Sequence, residues 1–495
     1  MTAAFTENLP LASGIGAEQA TLLLWLAAGS LAYWLGWRFR LPSILLLLVF
    51  GFVGGPALGW LDPDAVLGDA LFPLVAAAVA VILFEGGLQL RVRDLRESAA
   101  PIWRLVIIGV GVTTVLAALF AWWVLAFPPK VALLLGALLS VTGPTVIGPM
   151  LRTIRLPARV TNVAKWEGIL IDPVGVLLAV FVFEAILSDG TGATLRMLGG
   201  GVLVTIVAST ALAGIAAAVI ILAVRARLIP EFLHNQVVLT FVLGTFFASN
   251  YLQEESGLIT VTLLGALLVN QRVFRVEHII HFKENLRTLF ISGLFLVLAA
   301  RVEVETVATL GLPSLLFVMA LIVIVRPAAV YLSTIGTKLN WRERVMLMFL
   351  SPRGVVATAL ASVFALRLAE IGAERTGEAL LATTLAVVTG TVCFYGLTAG
   401  WVARKLGLSN PNPSGLLIVG AHSWARELAC ALRDADATVA LVDNNEYNVH
   451  CAWDDGLKAH CGNILSEAFI EDLDASNIGW AICVTPNDEV NAFAF

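Results

Sequence analysis

The sequence predicts a polytopic α-helical membrane protein with a C-terminal α/β domain, and three observations predict it. Hydrophobic residues make up 59% of the 495 and charged residues only 14%, against a soluble norm of about 45–50% apolar and about 25% charged. The apolar residues gather in runs long enough to cross a hydrocarbon core, which takes about 17–25 residues. After Lys405 the composition changes, and short apolar strands alternate with segments of helical period, the pattern of a parallel sheet.

Thirteen apolar runs can be laid out: 19–37, 41–60, 69–90, 102–127, 131–151, 160–187, 197–224, 233–252, 256–271, 286–300, 306–335, 344–366 and 377–403. An odd number of spans puts the termini on opposite sides of the membrane. Short cytoplasmic loops collect Lys and Arg, and here alternate loops hold 21 and 5 of them. The basic set includes Arg38, Arg40, Arg91, Arg93, Arg96, Arg104, Arg152, Arg155, Arg159, Lys165, Arg225, Arg227, Arg272, Arg275, Lys283 and Arg287. The poor set is Lys130, Arg196, Arg301, Arg367 and Arg375, beside acidic clusters such as Asp62, Asp64 and Asp69 or Glu254 and Glu255. The N-terminus is therefore expected outside and the C-terminus in the cytoplasm, in a multi-pass protein of the cell (inner) membrane. Residues 1–18 lack the positive start of a cleavable signal, so they read as an extracytoplasmic segment, with the mature protein beginning where the sequence does.

The remaining bounds are exclusions. A net charge of −5 and a pI near 5.8 argue against nucleic acid as a partner, because counterion release needs clustered Lys and Arg. The five cysteines, Cys393, Cys430, Cys451, Cys461 and Cys483, form no CxxC pair and no zinc-ligand spacing, which fits a reducing compartment and no metal cage.

Beyond the membrane domain at 19–405, a Pro/Gly/Ser/Asn-rich linker covers 406–414. The domain at 415–495 begins with the strand GLLIVG (415–420), the helix SWARELACALRDAD (423–436) and the strand TVALVD (438–443), and has a later strand at WAICVT (480–485). It reads as Rossmann-like and incomplete, since the chain stops at Phe495 just past a strand end. GAHSWA (420–425) lies where a dinucleotide fold places G-x-G-x-x-G. Gly420 matches, His422 and Ala425 occupy the other glycine positions, and Asp443 ends the second strand where it could take ribose hydroxyls.

The sixth run starts with KWEGILIDPVGVLLAVF (165–181), which buries Glu167 and Asp172 in apolar sequence. A charged side chain at the bilayer centre costs about 2.5–3.5 kcal/mol on insertion scales and usually marks an ion or proton pathway. Asp172 lies about a dozen residues into its run and precedes Pro173, whose missing N–H leaves a carbonyl free to face a cavity. Glu167 and Asp172 are about 140° apart on an ideal helix, so they do not act as a simple acid–base pair. A more economical division makes Asp172 the exchangeable site and Glu167 the partner of a buried arginine, Arg326 or Arg353, since either would be costly unpaired. Glu184, near a span end, reads as a snorkelling residue; Glu85 stays between packing and function.

Two runs carry helix breakers in mid-membrane. SVTGPTVIGP (140–149) contains Gly143, Pro144, Gly148 and Pro149, and FLSPRGVVAT (349–358) contains Pro352 and Gly354. Broken helices in corresponding positions of two repeats are the sequence pointer to a secondary transporter's binding site. Plain kinks would explain one such run less strainedly than two.

LFEGGLQLRVRDLR (83–96), LLLGALLSVTGPTVIGPMLR (133–152), EGILIDP (167–173), VRPAAVY (325–331) and SPRGVVATALA (351–361) resemble, in order, the motifs of monovalent cation:proton antiporters, nearest to the bacterial Na+/H+ exchanger type with thirteen spans. The resemblance covers about residues 20 to 405. It implies inverted repeats, two broken helices crossing near the ion site, and a homodimer in which a six-helix core moves against a dimerisation domain. It implies Asp172 as the cation- and proton-binding carboxylate, Glu167 paired with Arg326, Arg353 at the second crossover, and Thr142, Gly143 and Pro144 at the first, with Thr142 a cation ligand. Three departures stand out: Gly143 replaces an aspartate, Gly168 a serine and Ile171 an asparagine. Residues 460–491 resemble the rest of a regulator-of-K+-conductance domain, which implies a regulatory nucleotide, NAD(H) or an adenine nucleotide, held near Gly420, His422 and Asp443. No cofactor is required for transport itself.

The functional expectation is a secondary antiporter exchanging protons for Na+ or K+, electroneutral because a single exchangeable carboxylate is present. A K+-selective efflux exchanger controlled by the tail is the alternative within transport. A membrane-anchored nucleotide-dependent oxidoreductase, or a sensor with a passive anchor, is disfavoured by the lack of a substrate domain and by the buried charges.

Overall fold

Inside hydrocarbon a backbone amide finds no water, so an apolar run must satisfy its own N–H and C=O groups and becomes a helix. The computed structural model describes residues 17–39, 43–90, 92–154, 156–187, 191–253, 256–271, 277–301, 311–408, 415–465, 478–487 and 491. The N-terminal segment up to residue 16, linker residues 409–414, Arg40, Arg91, Arg155, Glu254, Glu255, Arg272 and Arg275 lie outside the described residues, as do the side chains of Arg93, Arg96, Pro144, Pro149, Arg152, Arg196, Lys283 and Arg287. The chain divides into two compact units, Met1–Met150 with Asn162–Ala399 and Leu151–Thr161 with Gly400–Phe495.

The apolar part of the chain folds into α1 (Ala17–Phe39), α2 (Ser43–Phe52), α3 (Pro63–Leu67), α4 (Leu71–Leu88), α5 (Val92–Arg104), α6 (Val110–Val124), α7 (Pro129–Leu138), α8 (Pro144–Ile154), α9 (Ala158–Leu187), α10 (Thr191–Arg225), α11 (His234–Leu252), α12 (Ser256–Asn270), α13 (Glu277–Ala300), α14 (Leu312–Ala320), α15 (Arg326–Thr334), α16 (Trp341–Met348), α17 (Val355–Glu370) and α18 (Glu374–Lys405). Wide π-turns join α5 to α6 at Leu105–Gly109 and α14 to α15 at Leu321–Val325, and a third follows α2 at Val53–Ala57. Among the described residues five helical stretches are long and apolar enough to cross a membrane: Ala99–Val124, Arg159–Ile186, Val204–Arg225, Leu312–Thr334 and Glu374–Lys405. Seven shorter apolar helices accompany them, so length and hydropathy alone do not return thirteen crossings.

Two of the expected runs are helix pairs with non-helical chain between them, at 139–143 between α7 and α8 and at 349–354 between α16 and α17. Pro144 opens α8, a position where its missing N–H costs nothing. Gly148 and Pro149, expected to take part in this break, lie instead inside α8; the discontinuity is confined to the residues before Pro144. Pro173 also sits within a helix, and α9 continues past it. Asn340 starts α16, where its own N–H donates to Glu343 Oε2 at 2.7 Å, a reciprocal cap of the first turn.

Small residues bring other helices together. A Cβ on Gly87 of α4 would strike the carbonyl oxygen of Thr262 on α12, and one on Gly265 of α12 would strike that of Phe84 on α4. Such contacts between bare backbones are how membrane helices pack closely without a hydrophobic driving force. Hydroxyls add to this: Ser249 meets Ser256 at 2.8 Å and Thr260 at 2.7 Å, and Ser209 donates to the Ser256 carbonyl at 3.2 Å, tying α10, α11 and α12.

The second unit holds a four-stranded parallel sheet in the order β3-β2-β1-β4, from β1 (Gly415–Val419), β2 (Val439–Asp443), β3 (Lys458–Cys461) and β4 (Ile478–Cys483). Helices α19 (Ser423–Asp434) and α20 (Glu446–Asp454) connect the first three strands. The core beneath α19 and α20 is built from Ile418, Leu441, Ala425, Ala429 and Val449. Strand order reverses between β1 and β4, so their carboxyl ends open the crevice where such sheets bind ligands.

Candidate functional site

The site is assembled on α9 and the two chain breaks. Glu167 and Asp172 are each 1% exposed. The π-turn at Leu321–Val325 leads directly into Arg326. Its Nη1 donates to Glu167 Oε1 at 2.5 Å and its Nη2 to Oε2 at 3.1 Å, the parallel two-bond geometry that favours arginine over lysine. Nη2 also donates to the Leu347 carbonyl at 2.8 Å, in the last turn of α16, where carbonyls have no partner within the helix.

Arg353 makes a matching contact at the other break. Its Nη1 lies 3.3 Å from the carbonyl oxygen of Ser140 and 3.4 Å from that of Val141, just beyond α7. Its own N–H donates to Thr391 Oγ1 of α18 at 3.1 Å. Each half-helix that ends at a break thus has a guanidinium at its negative end, the favourable arrangement for a helix dipole.

The breaks touch. A Cβ built on Gly354 would lie 2.5 Å from the Gly143 Cα, so the two non-helical strands of chain cross backbone to backbone. A Cβ on Gly175, one turn beyond Asp172, would lie 2.6 Å from Val141 Cγ2 and 2.8 Å from Ser140 Oγ. Asp172 therefore rides on a helix seated against the first break.

Both carboxylate oxygens of Asp172 are buried with no hydrogen-bond partner among the described residues, and so are Thr142 Oγ1 and Ser351 Oγ. Buried polar atoms are ordinarily satisfied, and here three such groups lie on α9 and in each of the two breaks. Ser351 was not singled out by the sequence; its signal was only its place in SPRGVV. Ile171, where the resemblance expects asparagine, packs into an apolar cluster with Val106 and Val110. Glu184 is exposed and Glu85 is 4% exposed, with Gly86 beside Ile169. Among the described residues no group of His, Cys, Asp and Glu could cage a metal ion.

In the tail, Gly420 has φ +111°, a conformation that favours glycine. A Cβ there would meet the His422 ring and Val484 at 3.3 Å, so the imidazole lies over the loop that a phosphate would approach. Asp443 accepts from the Ala421 N–H at 2.7 Å, the Asn445 N–H at 2.9 Å and Asn448 Nδ2 at 3.0 Å. Its carboxylate clasps the glycine loop to the end of β2.

Residues 26–405 match the family model described as sodium/hydrogen exchanger, transmembrane, and residues 416–495 match that of the TrkA-N domain. The chain is 28% identical over 381 residues to the K(+)/H(+) antiporter NhaP of Alkalimonas amylolytica, covering 76% of this chain and 65% of that one. It is 27% identical over 348 residues to Na(+)/H(+) antiporter 1 of Methanocaldococcus jannaschii, covering 68% and 80%. K(+)/H(+) antiporter NhaP2 of Shewanella sp. is 27% identical over 346 residues, and the chain spans 56% of its length. The solved structure of the sodium proton antiporter MjNhaP1 from Methanocaldococcus jannaschii has the same helical fold, with a TM-score of 0.69 and 24% identity over 79% of this chain and 98% of that one. With the match running through both breaks, α9 and both arginines, the chain belongs to the sodium/hydrogen exchanger family and carries a TrkA-N domain behind its membrane part.

Proposed function

We propose that the protein is a secondary transporter, not an enzyme, that exchanges protons for a monovalent cation, Na+ or K+, by alternating access. The observation that carries this reading is the Asp172 carboxylate, buried without a hydrogen-bond partner among the described residues on a helix seated against crossing chain breaks. A bare carboxylate is costly in such a place, so Asp172 crosses the membrane covered by a proton or by a cation. Thr142 and Ser351 add neutral oxygens, and break-point carbonyls suit alkali cations. The Arg326 and Arg353 guanidinium groups are engaged with Glu167 and with half-helix ends, which leaves Asp172 as the exchanging group. One group carrying one charge makes the exchange one-for-one and electroneutral.

In this reading the membrane domain at 19–405 has its N-terminus outside and its C-terminus in the cytoplasm of the cell (inner) membrane, works as a homodimer, and is joined by a linker at 406–414 to a regulatory domain at 415–495. The tail takes an adenine nucleotide or NAD(H) at the β1/β4 crevice near Gly420, His422 and Asp443. A K+-selective exchanger is favoured by the tail and by relatives named K(+)/H(+) antiporters. The test is proton movement in proteoliposomes driven by Li+, Na+, K+ or Rb+ in turn. Exchange with at least one of these, insensitive to membrane potential, is expected; nicotinamide turnover without ion exchange would replace the reading with an oxidoreductase.

A further inference from the structure

A pocket of about 330 Å³ opens between α4, α11, α12, α13 and α17, and Asp172 is not among its lining residues. Thirteen of its sixteen lining residues are apolar, among them Val79, Phe247 and Leu360; the polar ones are Asn250, Ser362 and Arg301. Asn250 Oδ1 already accepts from the Gly257 N–H at 2.7 Å, and Ser362 Oγ donates to the Thr358 carbonyl at 3.1 Å. The wall from α17 begins at Val356, two residues past Gly354 in the second break, while Arg301 stands just beyond the end of α13.

This chemistry does not fit a cation pathway. A cation entering here would shed water against hydrocarbon side chains and meet a positive guanidinium. It fits a molecule with an apolar body and a negative end, and its size is at the small end of the range for ligand pockets, about 300–1,000 Å³. A bilayer supplies such molecules at high concentration, and an arginine guanidinium pairs with a phosphate headgroup through charge-assisted hydrogen bonds. We propose that the pocket holds one acyl chain of an anionic membrane phospholipid, whose headgroup is drawn by Arg301. Because α17 leaves the second break along one wall and α4, α11 and α13 form the other, the chain would also hold α17 against those helices and slow exchange. That last consequence rests on the antiport reading; capture of the lipid does not.

The test uses the full chain in nanodiscs containing phosphatidylglycerol or phosphatidylcholine with a diazirine in the acyl chain, followed by peptide mapping. Labelling of peptides around Phe247 and Leu360 is expected, with phosphatidylglycerol favoured about five-fold, the upper worth of one solvent-accessible ion pair. Arg301→Gln should reduce that preference to parity and Arg301→Lys should keep it. Filling the pocket with Ala359→Trp, or with Val363→Phe should the first variant not fold, should remove the label. Equal labelling by both lipids, label that persists in a folded filled variant, or displacement by free palmitate would overturn the assignment. Faster exchange in the filled variant than in the parent, in phosphatidylglycerol liposomes, is the expected transport readout; unchanged exchange with lost labelling would sink the restraint and leave the lipid site standing.

Discussion

Arg326 binds both oxygens of Glu167 and the Leu347 carbonyl at once, so one side chain joins α9, α15 and the end of α16. Removing one partner of a buried ion pair costs about 3–5 kcal/mol, since the other charge is left uncompensated. Glu167→Gln and Arg326→Leu should each lower the unfolding free energy in detergent by that order, and the Glu167→Leu/Arg326→Leu double variant should recover part of the loss. Additive losses in the double variant would show that the two residues act independently.

The crossing of the breaks makes a second prediction. Gly354→Ala places a Cβ 2.5 Å from the Gly143 Cα, where the obstacle is backbone and cannot rotate away. Exchange in proteoliposomes should fall at least about ten-fold, the effect of about 1.4 kcal/mol. Gly148→Ala, which meets nothing within 4 Å, should be near neutral and serves as the control.

A third concerns competition. If a proton and a cation share Asp172, each pH unit of acidification in the range where the carboxyl is mostly protonated should raise the half-saturating cation concentration about ten-fold, by simple mass action at one site. The maximal rate should not depend on an imposed membrane potential. A voltage-dependent rate would require a second moving charge.

In the tail, the His422 ring lies over Gly420, where the backbone of a dinucleotide fold approaches pyrophosphate. His422→Gly should therefore increase the affinity of the full chain for NADH or AMP measured by calorimetry. Asp443→Ala should speed hydrogen exchange at the Ala421 amide, which Asp443 holds at 2.7 Å.

Local sequence carried much of this. Apolar runs marked the helices, and Gly143, Pro144, Pro352 and Gly354 marked the breaks, because composition and backbone chemistry act over a few residues. Asp172 and Glu167 stood out for the same reason. The Arg353 contacts with Ser140 and Val141 were not legible, since they join residues more than two hundred positions apart and end on carbonyls that every residue owns. The π-turns escaped because LVIIG and LIVIV read as ordinary helix. The strand KAHC at Lys458–Cys461 lacks an apolar run and was set by pairing with β2. That Ile171 departs from the asparagine of the resemblance is visible in the sequence, but its packing with Val106 and Val110 is not, since those residues lie on another helix.

The most direct measurement is cation-driven proton movement in proteoliposomes containing Asp172→Asn. The amide keeps the size of the side chain and cannot exchange a proton for a cation, so the gradient should collapse to the rate of empty vesicles for every alkali cation while the unfolding midpoint holds or rises. Full exchange by Asp172→Asn would contradict the assignment of Asp172 as the group that carries both ions.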